Sequence, residues 1–122
     1  MAGAKMDGAG IEKMKTLETA QSQLQRVHGL VEQFAMAVKN DQPTAIWGGQ
    51  IRRAGSPLVG LLKGQFGMIS DQLAAMMVVA GRTGSDKVRL RSLRETVAQA
   101  RTALEIAVAK TIELHTEKAE EH

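Results

Sequence analysis

The chain contains no cysteine and no tyrosine, and among its 122 residues only Phe34, Phe66 and Trp47 are aromatic. Without thiols it has no disulfide scaffold, no zinc–thiolate site, no iron–sulfur cluster and no thiol nucleophile. Scarce aromatics argue against a sheet, where aromatic and β-branched residues pack best. Long apolar runs are also missing. The longest, Leu73 to Ala80, spans eight residues, against the roughly 20 a membrane-crossing helix needs. Residues 1–10 are small and read as a flexible N-terminus, with Lys5 but no apolar segment of signal-peptide length behind it. The expectation is a cytoplasmic protein.

What is present is a 43% share of hydrophobic residues made of Leu, Val, Ile, Met and Ala, a palette suited to packed helices. Leu17, Leu24, Val31 and Val38 recur every seven residues, with Ala20, Val27 and Phe34 between them. This spacing predicts a first helix over 11–40, ended by the Asn40-Asp41 turn and Pro43. A glycine-interrupted connector over 43–55 follows. Ser56 as N-cap and Pro57 in the first turn predict a helix over 57–81, with Val59, Leu62, Phe66, Ile69, Leu73, Met76 and Ala80 as its stripe. Thr83 or Ser85 then caps a last helix over 86–118, whose seam is Leu90, Leu93, Val97, Ala100, Leu104, Ala107 and Leu114. Residues 119–122 form an acidic end. The predicted fold is all-α: one domain over 11–118, an antiparallel up-down bundle of three long helices and a short helical connector, completed by oligomerisation.

Gly60, Gly64 and Gly67 fall on one face of the predicted 57–81 helix. Three glycines cost it about 2–3 kcal/mol relative to alanine, which close approach of a neighbouring helix offsets. The same apolar, glycine-rich segment also admits a membrane-surface reading, although Lys63 is its only cation.

No catalytic signature is found, so the chain is read as non-enzymatic and without a cofactor. His28 is followed by Gly29 and Leu30 rather than the Lys and Gly that support a phosphorylated histidine, and His115 and His122 sit in a charged tail read as exposed. Glu113 and His115 are two apart and face different ways, so no metal site is expected. No Gly-Lys-Ser/Thr follows the glycines to make a phosphate loop.

Binding is the remaining class. Arg82, Lys87, Arg89, Arg91 and Arg94 stand against Asp86 alone, within a chain of net charge +3, and Arg52 and Arg53 add a basic pair. Arg52, Arg53 and Arg82 are candidates for phosphate-backbone contact, a nucleic-acid reading ranked second because no aromatic lies among them for stacking. The leading reading is protein–protein contact and self-association, as a scaffold, adaptor or regulatory subunit. Cations at the start of the last helix and Glu113, Glu117 and Glu120 at its end oppose its macrodipole. With the first and last helices parallel in a three-helix bundle, Lys13 and Lys15 lie near the basic start and nothing acidic offsets it. An antiparallel homodimer aligning two last helices does so, through Lys87, Arg89, Arg91 and Arg94 against Glu113, Glu117 and Glu120. Trp47 is read as pinning the connector onto the bundle end or, alternatively, as the anchor for this or for another, unidentified protein partner. The triplet Trp47-Gly48-Gly49 between two helical segments resembles the Trp-x-Gly family of small secreted helical hairpins, which carry it at the hairpin turn. The chain departs from that family by a third long helix and the pair Arg52-Arg53 and lacks the tyrosine of its export signal, so secretion is not carried over.

Overall fold

The computed structural model describes residues 5–82 and 84–116. Among these residues the chain forms four helices: α1 (Gly8–Lys39), α2 (Ala45–Leu62), α3 (Gly67–Gly81) and α4 (Asp86–His115). Each packs on its neighbours in the chain, α4 closes back onto α1, and the backbones of the diagonal pairs stay apart. The fold is an up-down-up-down four-helix bundle. The all-helical expectation holds, and the count of three long helices does not.

The helix ends follow from local chemistry. Asp7 caps α1, its carboxylate accepting from the Gly10 N–H at 2.8 Å, and the chain reverses after Lys39 through Asp41, whose φ is +56°. Ser85 caps α4 through the Val88 N–H. Thr83, the other candidate cap, lies outside the described residues, as do Lys118 and the acidic end.

The segment expected as a connector and one long helix is instead the hairpin α2–α3. Trp47-Gly48-Gly49 begins α2 rather than occupying a turn, and Pro57 lies inside α2. A proline there removes one backbone hydrogen bond, at about 3 kcal/mol. Ile51, Leu58 and Leu62 are fully buried on that helix, each contributing about 1.5–3 kcal/mol, and outweigh it. Ser56 does not cap a helix; its hydroxyl donates back to the Arg52 carbonyl at 2.8 Å. The chain turns at Lys63–Phe66, and the buried Ser70 hydroxyl ties the hairpin by donating to the Val59 carbonyl at 2.8 Å.

The core is made of Leu17, Leu24, Val31 and Phe34 from α1, Ile51, Leu58 and Leu62 from α2, Leu73 and Met76 from α3, and Leu93, Val97 and Leu104 from α4. Nearly all were legible in the heptad seams. The packing role assigned to Gly60, Gly64 and Gly67 is corrected: Gly60 is in α2, Gly64 in the turn and Gly67 at the start of α3, all exposed and with open space where a side chain would be. The glycines that permit close packing are Gly10, where a Cβ would meet Met6 and His115, together with Gly48 and Gly55. A Cβ at Gly48 would fall on the Ala80 carbonyl and 3.1 Å from Arg89 Nη2, and one at Gly55 would meet the Met77 thioether.

These positions give opposite expectations for one substitution. Gly48→Ala forces α2 off the end of α3 and destabilises by about 1–3 kcal/mol, while Gly60→Ala stabilises by about 0.5–1 kcal/mol through helix propensity. Urea midpoints check both; equal effects at the two sites contradict the assignment.

Candidate docking surface

The basic residues singled out in the sequence do not form one track. Arg89 is drawn inward: Nη1 donates to Asp86 Oδ1 at 3.2 Å, Nη2 to the Ala80 carbonyl at 3.1 Å, and the guanidinium lies 5.3 Å from the Phe34 ring centre. Arg94 reaches across to α1 and donates to both carboxylate oxygens of Glu32, at 2.7 and 3.0 Å. Lys87 and Arg91 are exposed on α4. Arg52 and Arg82 share a shallow hollow with Ser56, Met77 and Val78. Arg53 opens on the other side of α2, in a cleft with Arg26, Gln23 and Gln50.

The expected electrostatic conflict at the start of α4 is therefore corrected. In a four-helix bundle α1 runs antiparallel to α4, so Glu32 and not Lys13 or Lys15 meets the basic start. Glu113 is exposed near the other end of α4, and Glu117 and Glu120 lie outside the described residues.

Of the histidines, His28 and His115 lie among the described residues and both bond neighbouring side chains, and His122 lies outside them. Arg101 Nη2 donates to His28 Nδ1 at 3.3 Å, which leaves the Nε2 side of the ring facing Glu32 Oε2 at 3.8 Å. His115, expected to be exposed, is half-buried in a clasp that joins the start of α1 to the end of α4: Lys13 Nζ donates to Nε2 at 3.2 Å and Nδ1–H donates to Asp7 Oδ1 at 3.1 Å. The Asp7 carboxyl is held below the usual carboxylate range, first by the Gly10 N–H and then by His115. Among the described residues no group of three or more His, Asp and Glu could hold a metal ion, and no helix is long and apolar enough to cross a membrane.

An apolar groove of about 530 Å³ opens between the second half of α1 and the start of α2. Trp47 and Ala37 form its floor, with Met36 on one bank and Ile46 on the other, 55% and 63% exposed. Gln33 and Gln42 supply a polar rim. Trp47 was named from the sequence, and the structure places it here, half-buried against the core. Met36 and Ile46 were not named. The available signal was that Met36 falls off the α1 heptad and that adjacent Ile46 and Trp47 cannot both face the core.

The Glu32–Arg94 pair gives a pH expectation. Hydrogen bonding from Arg94 lowers the Glu32 pKa below its ordinary value of 4.5, and burial opposes this. A lowered folded-state pKa means stability that is present above the unfolded value and lost as pH falls through the folded value. Both side chains are more than 40% exposed, so the contribution is about 0.2–1 kcal/mol. Arg94→Gln is expected to lose this amount at neutral pH and nothing in strong acid. Urea unfolding at both extremes tests it, and a pH-independent difference contradicts it.

No protein-family model matches the chain, and no curated protein or solved structure shows significant similarity to it.

Proposed function

We propose that the protein is a non-enzymatic contact module, a scaffold, adaptor or regulatory subunit, that receives an apolar helix of a partner protein in the Trp47 groove. The observation that carries this is the pair Met36 and Ile46, both more than half exposed on facing banks above a half-buried tryptophan. Apolar area at that position gains about 25 cal/mol per Å² when covered. Tryptophan at the centre of an apolar surface with a polar rim is also the usual composition of a binding hot spot. A matching helix presents apolar residues at i and i+4 to the floor and polar groups to Gln33 and Gln42. The nucleic-acid reading has less support, because Arg89 and Arg94, two of the five cations of the basic cluster, already have partners inside the chain.

The test immobilises the wild-type protein and the double variant Met36→Asp/Ile46→Asp in nuclease-treated extract of the native cells, and compares what each retains. A protein retained by the wild type and lost by the variant, whose complex shifts the emission of the sole tryptophan to shorter wavelength, is the expected result. Identical retention by both proteins, or a complex that leaves Trp47 emission unchanged, overturns the groove assignment.

A further inference from the structure

The Trp47 groove continues beyond Trp47. Arg26, Leu30 and Gln33 follow one another in steps of four and three residues along α1, and Ala54, Gln50 and Trp47 do the same in the opposite direction along α2, so each trio lies on one helix face. The first two of each trio line the cleft of Arg26 and Arg53, and the last lines the groove. The two hollows are successive stretches of one furrow between antiparallel helices. Arg26 stands seven residues before Gln33, and Arg53 seven after Ile46, which puts the cations about 10 Å, or two helical turns, along the furrow from the groove.

The furrow is polarised. Its groove end presents Met36, Ile46 and Trp47, and the carboxylate there, Glu32, has both oxygens held by Arg94. At the other end Arg26 and Arg53 are exposed on opposite banks of the cleft, with the amides of Gln23 and Gln50 beside them. Nothing acidic offsets this pair. Helix α2 contains no Asp or Glu, the residues three and four positions either side of Arg26 are Gln23, Gly29, Ser22 and Leu30, and neither arginine is in an ion pair among the described residues. Two cations facing one cleft without a counter-charge repel, and a carboxylate set between them reverses the sign of that interaction.

We infer that the helix received by the Trp47 groove carries, about two turns from its apolar pair, an Asp or Glu that enters the cleft between Arg26 and Arg53. The inference rests on the groove reading and adds the partner's chemistry to it. A helix lying along the furrow has the same rise per residue as the two walls, so side chains seven apart on its inner face meet positions seven apart on α1 and α2. An apolar helix alone seats in either direction. A charge at one end selects one of them, and a target with Lys or Arg at that place is rejected by like charge.

The test is selection from a displayed library of helical peptides about five turns long, randomised on one face, against the wild type, Arg26→Glu/Arg53→Glu and Met36→Asp/Ile46→Asp, with circular dichroism to check that each variant keeps its helix content. Wild-type clones are expected to share an apolar pair with Asp or Glu about two turns away, and the charge-reversed protein to select the same apolar pair with Lys or Arg there. Synthetic forms of one wild-type clone with Glu or Lys at that place, titrated at low salt against Trp47 emission, are expected to differ at least about tenfold in Kd, equivalent to 1.4 kcal/mol or more. This difference is expected to vanish in Arg26→Gln/Arg53→Gln and to persist in Arg52→Gln, whose hollow is shared with Arg82 instead. Clones that keep the apolar pair with no preference at the charged place, or a Glu–Lys difference that survives Arg26→Gln/Arg53→Gln, overturn this inference and leave the groove reading intact. A library that yields no clone dependent on Met36 and Ile46 overturns the groove reading and this inference with it.

Discussion

Arg89 touches all four helices, and the closed end of the bundle is organised around it. Its guanidinium lies over Phe34 of α1, against the backbone at Gly48 of α2, on the Ala80 carbonyl of α3 and on Asp86 of its own helix. Asp86 in turn accepts from Thr44, just before α2, at 2.8 Å. A largely buried cation is costly unless its donors are used. The Ala80 carbonyl sits in the last turn of α3, where the helix dipole is negative and an unpaired carbonyl is otherwise left over. One buried donor, Arg89 Nε, has no partner, so the site is held by a majority of its contacts and not by all of them. Glycine at position 48 follows directly, since a side chain there would occupy the space of the guanidinium and the Ala80 carbonyl.

That arrangement also removes the apparent conflict in α4. Cations in a first helical turn are unfavourable toward their own dipole. Antiparallel packing, however, brings the start of α4 beside the end of α3, whose dipole has the opposite sign, and beside Glu32 of α1. Arg89 and Arg94 each use one of these. The charge pattern of one helix was therefore a record of its neighbours in the same chain, and could not be interpreted from that helix alone.

The legible part of the fold was the part governed by periodicity and caps. The α1 seam, the α4 seam as far as Ala107, the Asn40 turn and the Ser85 cap all depend on residues within one turn of each other, whereas Leu114, expected in the α4 seam, is 72% exposed. The α2–α3 hairpin was not legible because its stripe, Val59, Leu62, Phe66, Ile69 and Leu73, keeps helical spacing straight through the turn at Lys63–Phe66. Both arms bury that stripe against the same core, so periodicity cannot detect the reversal. The interior position of Pro57 misled for a related reason: proline after serine marks a helix start on local grounds, and only the burial of Ile51 and Leu58 carries α2 through it. Reading three helices rather than four also inverted the direction of α1 relative to α4, and with it the surroundings of every charged residue on both. At the candidate site, Trp47 stood out by its rarity, whereas Met36 and Ile46 become meaningful only once the turn brings their helices side by side.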